Sequence, residues 1–139
     1  MKETVYIYNI NDKNKIRNMQ FALLRLKIKL KVISDDMLLQ KVGCIAELDG
    51  FEPETPLSSE IPEITDEIML MKNLTSSRID ALLSAFRKAG VTRIKLKAIL
   101  TETNKDWYFA DLHKELLREH HEMSKQDPPG ETEDSAAAL

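Results

Sequence analysis

Cysteine is almost missing from this chain. Cys44 is the single one in 139 residues, so no intrachain disulfide can form, and a chain of this length can bury enough core to fold without one. Apolar runs are short throughout. The amino end, MKETVYIYNIND, has neither the length for a membrane span nor the pattern of a signal peptide, so cytoplasmic residence and no membrane partner are expected. Glycine and proline are scarce, at 4 and 5 residues, which excludes collagen-like and low-complexity classes. No P-loop, dinucleotide fingerprint, zinc spacing or nucleophile elbow occurs. No cofactor, no metal and no catalytic residue is therefore assigned.

What is present is ordinary globular material, 42% hydrophobic and 31% charged. The net charge of −3 is unevenly distributed. Residues 1–49 carry nine basic and six acidic side chains, and residues 68–123 carry ten and seven. Between them, residues 50–67 hold six acidic side chains and no basic one, and residues 124–139 hold four acidic and one basic. Two mildly basic halves are thus joined and trailed by acidic segments.

The halves echo one another at an offset of 63 residues, pairing Val5 with Ile68, Ile7 with Leu70, Ile16 with Ile79, Met19 with Leu82 and Leu23 with Phe86. In the first, 1–49, alternation over Thr4–Ile10 predicts a strand, and Asn11 or Asp12 caps a helix on Ile16, Met19, Leu23 and Leu26. Lys27–Ile33 alternates again as a second strand. Ser34, Asp35 and Asp36 cap a short helical segment through Gln40, and Val42–Leu48 reads equally as helix or loop. Residues 50–66 hold three prolines and form an extended connection in which Phe51, Leu57, Ile61 and Ile64 are the candidate anchors. In the second half, 67–123, Glu67–Met71 is a strand, Thr75 to Ser77 cap a helix on Ile79, Leu82, Leu83 and Phe86, and Ala89-Gly90 ends it. Arg93–Leu100 is the fourth strand and Asp106–Met123 the last helix. Residues 124–139 read as a disordered acidic tail, whose closing AAAL has the composition of a vector scar.

Asp80-Ala81-Leu82-Leu83, Arg87-Lys88-Ala89-Gly90, the run Leu96 to Asn104 (LKAILTETN) and Trp107 together resemble the bacterial domain-of-unknown-function 3783 family. The resemblance spans the second half, with GCIAELDGFEP (Gly43–Pro53) similar to the segment before it. Glu102 departs from the proline frequent in that family. The resemblance implies a family and no chemistry.

The expected fold is α/β (α+β): two βα-repeats forming a four-stranded sheet with helices packed on it. It is either ferredoxin-like, with helices on one face, or a small mixed sheet covered on both. The last helix decides, since Trp107, Ala110, Leu112, Leu116 and Leu117 need a surface to bury against.

Two sites compete for function. Strand parity sets Tyr6, Tyr8, Met69, Met71, Lys29, Lys31, Lys95 and Lys97 opposite the aliphatic side, which would make a stacking platform for single-stranded nucleic acid. The simpler reading is that the last helix covers the aromatics while the lysines protect edge strands. The second site is the turn after the fourth strand, where Thr101, Thr103, Asn104, Trp107 and Lys97 would hold a small anionic ligand at a helix amino end. Here the simpler reading is capping, with Trp107 in the core. Cys44 reads as a small core residue, His113 and His120 stand ~10 Å apart along a helix axis, and Asp35-Asp36 is a helix cap before it is a Mg²⁺ site. The residues favour a small non-enzymatic binding or protein-interaction module. Its candidate partners are another protein, a second copy making a homodimer through edge strands and methionines, a small anion, or nucleic acid.

Overall fold

Thr4–Tyr8 (TVYIY) and Ile68–Lys72 (IMLMK) are apolar at nearly every position. Such runs suit strands covered on both faces rather than on one. They form β1 and β3, the two central strands, paired antiparallel with Val5 opposite Met71 and Ile7 opposite Met69. The computed structural model describes residues 2–55, 60–126 and 137–138.

Asp12 opens α1 (Lys13–Leu26), its side chain accepting from the backbone N–H groups of Asn14 and Lys15. The chain then returns as β2 (Lys29–Val32), parallel to β1. After a 3₁₀ turn (Asp35–Leu39) and the four-residue helix α2 (Val42–Ile45), residues 50–66 lead to β3. Thr75 opens α3 (Ser76–Lys88), and β4 (Leu96–Ile99) returns parallel to β3. A second 3₁₀ turn (Asn104–Asp106) precedes α4 (Phe109–Gln126). The sheet order is β2-β1-β3-β4, and a two-residue strand, β5 (Ala137–Ala138), lies parallel along the outer edge of β4.

Both faces of this mixed sheet are covered. On one, Val5, Ile7, Met69 and Met71 pack with Met19 and Leu23 of α1 and with Ile79, Leu82, Leu83 and Phe86 of α3. On the other, Tyr6, Tyr8, Ile68, Leu70, Leu96 and Ala98 pack with Val42 and Ile45 of α2 and with Phe109, Leu112 and Leu116 of α4. Of the two expected architectures, the small mixed sheet with helices on both faces is the one formed.

Strand parity needs correcting at the methionines and at Lys97. Met69 and Met71 lie on the face of Val5 and Ile7, not with the tyrosines, and Lys97, in register with Met69, joins them. Because both faces are buried, apolar alternation carried no information about which face was which. The last helix starts at Phe109, later than expected, because the preceding backbone is held elsewhere. Lys41 and Tyr108 form an antiparallel bridge, Val42 N–H donates to Trp107 C=O (2.8 Å) and Phe109 N–H to Gln40 C=O (3.0 Å).

The acidic connection is clamped at several points. Gln40 bonds the Glu54 backbone through both ends of its amide, at 2.9 and 2.7 Å. Lys15, only 8% exposed, pairs with Glu67 at 2.7 Å, and His113 meets Asp66 at 2.9 Å. Ile64 is buried while Ile61 is exposed, and Leu57 lies outside the described residues. At the other end α4 continues three residues past Met123. The rest of the segment read as a tail, apart from β5, lies outside the described residues.

Candidate anion-binding cleft

The tyrosines are closed in. Tyr6 and Tyr8 are 3% and 7% exposed, and the Tyr8 ring meets Phe109 of α4 edge-on at 6.1 Å. Tyr6 donates to the Ala46 carbonyl and the Glu47 carboxylate, both at 3.1 Å, and Lys31 reaches the same carboxylate at 2.5 Å. That ammonium, more than the tyrosine, holds the Glu47 carboxyl below its usual range. Tyr8 donates to Asp35 at 2.8 Å. Burial first, and then the adjacent carboxylate, raises both phenols, Tyr8 to about 12. Neither ring is available to stack on a base, which removes the platform.

The lysines diverge as well. Lys29 and Lys31 sit on β2, in register with Thr4 and Tyr6, on the face covered by α4. Lys97 sits on β4 at the other side of the sheet and on the opposite face. Lys95 precedes β4 and is exposed. No single basic track crosses the molecule through these four residues.

The turn after β4 is folded on itself. Asn104 is 0% exposed. Its side chain accepts from Thr101 N–H (2.8 Å) and donates to Ile99 C=O (2.9 Å), while its own N–H donates to Thr101 Oγ1 (3.0 Å). Trp107 N–H closes the 3₁₀ turn on Asn104 C=O at 3.1 Å, and the indole is half-buried against the second core. Thr103 is exposed and makes no side-chain capping bond. The amino end of α4 already uses the Gln40 carbonyl, and Lys97 faces the other side of the sheet. The five residues expected to form one ligand site are therefore not brought together, and the loop is built by capping.

The structure opens a cleft on the side to which Lys97 turns. Leu83, Phe86 and Arg87 from the last turns of α3, the connection Gly90–Ile94, Met69 of β3 and Lys97 of β4 line a cavity of about 310 Å³. Its floor is apolar, from Met69, Leu83, Phe86, Val91 and Ile94. Its polar lining is Arg87, Thr92, Arg93 and Lys97, three cations with no carboxylate among the described residues. Lys97 is 3% exposed, whereas Arg87 and Arg93 are exposed. Gly90, with φ +76°, makes the tight exit from α3 that folds this connection back over the helix end. A helix carboxyl end repels anions by itself, so any anion here is held by the three side chains. One cation at about 4 Å from a carboxylate contributes about 1 kcal/mol in bulk water and about 4 at an intermediate dielectric. A bare anion would be held weakly, and an anion with an apolar portion more firmly.

A smaller hollow of about 240 Å³ shares Arg93 and adds Thr65, Asp66, Glu67, Lys95, Leu96, Leu117 and His120. Burial, and then the charges of Arg93 and Lys95, hold the His120 imidazole below its ordinary value. The mixed signs of its lining make it a poorer anion site than the larger cleft.

Among the described residues no group of three or more His, Cys, Asp or Glu side chains converges to hold a metal ion, and no buried side-chain nitrogen or oxygen lacks a hydrogen-bond partner. Burial, with the nearby charges of Glu52 and Glu54, raises the Cys44 thiol, which disfavours its nucleophilic thiolate form.

Residues 67–123 match the family model of a domain of unknown function (DUF3783). No curated protein and no solved structure matches the chain. The matched segment runs from β3 into α4, so the cleft and the Asn104 turn both fall inside it. In the sequence Arg87 stands only within the Arg87-Lys88-Ala89-Gly90 motif of the family resemblance and Arg93 only as the start of the fourth strand, and neither, nor Thr92, is marked there as a site residue. The available signal was the Arg87/Arg93/Lys97 grouping around Gly90, which becomes a site only once the connection folds back over α3.

Proposed function

We propose that this protein is a small non-enzymatic binding module that holds the anionic group of a ligand or partner in the cleft between α3 and β4. One observation carries the reading: three cationic side chains, Arg87, Arg93 and Lys97, line one cavity over an apolar floor. Bacterial origin is proposed from the family resemblance, and cytoplasmic residence from the lone, buried thiol of Cys44. No helix among the described residues is long and apolar enough to cross a membrane.

An internal repeat is part of the proposal. Asn9 and Asn73 take positive φ directly after β1 and β3, and Lys27, directly after α1, and Gly90, two residues after α3, do so at the two helix ends. Each pair stands near the 63-residue offset of the two halves. On this view 1–49 and 67–123 are two copies of one βαβ plan, 50–66 is their connection, and 124–139 is an appended acidic segment.

A second copy of the chain is a less well supported partner. Met69 and Met71 are buried, and the β2 edge carries Lys29, whose ammonium is held below the usual lysine range chiefly by the charge of Lys2 and also by Lys31. That edge repels its own image. The test of the binding reading is thermal denaturation against a panel of carboxylates, phosphate and sulfate at millimolar concentration. Carboxylates with an apolar portion are expected to raise Tm most, and Arg87→Gln with Arg93→Gln to abolish the rise. A Tm unmoved by every anion would remove the reading.

A further inference from the structure

The stretch from α1 through β2 has charge of one sign. Residues 13–32 carry seven basic side chains and no acidic one. β2 ends the sheet on the side opposite β4, and among the described residues no strand lies along its outer side. Lys29 N–H donates to Glu3 C=O at 3.1 Å and Ile33 N–H to Ile7 C=O at 2.8 Å, so by strand alternation the N–H and C=O groups of Leu30 and Val32 point outward. The two faces of this edge differ in character. Leu30 and Val32 are in register with Val5 and Ile7, on the side of α1, and Val32 is 70% exposed. Lys29 and Lys31 are in register with Thr4 and Tyr6, on the other side. There Lys29 is crowded chiefly by the charge of Lys2 and then by that of Lys31, and the carboxylate that acts on it, Glu47, is already bonded to Lys31 at 2.5 Å.

We propose that the outer edge of β2 docks an extended segment of a partner protein in which acidic and apolar residues alternate. The segment adds as a strand whose main chain bonds to Leu30 and Val32, with its acidic side chains on the side of Lys2 and Lys29 and its apolar ones beside Leu30 and Val32. This alternation follows from the pleat and holds for either strand direction. Charge complementarity selects the acidic partner. A second copy of β2 would set lysine against lysine, and a nucleic acid would leave the outward carbonyls and Val32 without a partner. The surface is independent of the cleft, which lies toward the other end of the sheet.

The test uses the full chain and a short fluorescent peptide in which glutamate alternates with valine. Binding is expected to slow amide exchange at Leu30 and Val32 and to leave Lys29 and Ile33, already bonded to β1, unchanged. Val32→Pro removes an outward N–H that the sheet does not use, at a position where an edge strand tolerates proline, and should weaken binding about ten-fold with the circular dichroism of the fold retained. Lys2→Gln with Lys29→Gln should weaken it about five-fold. A peptide of the same composition with its glutamates and valines in separate blocks should bind about ten-fold more weakly than the alternating one. No binding, equal binding of the blocked peptide, or binding that leaves Leu30 and Val32 exchange unchanged would overturn the inference. So would protection of those two amides in the free chain, which would mean that the edge is already filled, and so would tighter binding of an oligothymidylate than of the peptide.

Discussion

Asn104 shows how much one buried amide can organise. It joins the end of β4 to the turn before α4 by three hydrogen bonds and reaches solvent nowhere. Asn104→Ala leaves the Thr101 N–H and the Ile99 carbonyl without that partner, and is expected to cost about 2–3 kcal/mol in urea denaturation. An anion-binding role would instead have left stability nearly unchanged. Cys44 is the second residue whose surroundings set its behaviour. Its thiol is buried and raised by burial and by nearby carboxylates. Disulfide-exchange reagents at pH 7 should label it slowly in the folded protein and at once after unfolding; rapid labelling of the native form would contradict this burial. The sequence showed Asn104 as a cap candidate but not as a buried one. Its burial depends on α2, more than 50 residues earlier, packing against the turn.

At the scale of elements, helix starts were legible and helix ends differ between the halves. Asp12 and Thr75 cap as their residue types predict. At the carboxyl ends, α1 places Lys27 at φ +59° where α3 has Gly90 at φ +76°. A side chain in this left-handed region is strained and glycine is not. Lys27→Gly should therefore gain up to about 1 kcal/mol, and Gly90→Ala should lose about the same, measured by thermal unfolding. Equal and opposite shifts would support the two positions having one structural role. The start of α4 was misread because Trp107 stands at helical spacing from Ala110 and Leu117. Only the long-range bridge between Lys41 and Tyr108 delays the helix to Phe109.

At the scale of the molecule, both cores draw side chains from both halves, one through α1 and α3, the other through α2 and α4. Unfolding should therefore be a single transition, with Trp107 fluorescence and far-UV circular dichroism coinciding in urea; two separated transitions would mean that the halves fold independently. Stability should also depend on pH. His120, beside Arg93, Lys95, His121 and Asp66, has its folded pKa below the ordinary 6.5. The unfolded chain then binds more protons as pH falls through 6.5, so this contribution is complete above that value and lost below it. Glu3, held low chiefly by its hydrogen bond with Arg78, and Glu47, held low by Lys31, have folded pKa values below 4.5. They contribute stability above pH 4.5 that is lost as pH falls through their folded values. His120→Gln should flatten the stability profile just below pH 6.5 and leave the acid limb near pH 4 in place.

The sequence by itself determined the number and order of the main strands and helices, their caps, the α/β class and the need for α4 to cover something. Local periodicity, capping chemistry and apolar content act over a few residues and are visible in any window of the chain. Tertiary structure alone decided which face each strand residue takes. With helices on both sides, the β1–β3 register puts the tyrosines under α4 and moves Met69, Met71 and Lys97 to the side of α1 and α3. It likewise decided that Asn104 seals a turn and that Arg87, Arg93 and Lys97 share a cleft. Those groupings depend on where β4 lands beside β3 after the chain has turned at Gly90. That placement is set by packing between segments distant in sequence, which no local pattern records.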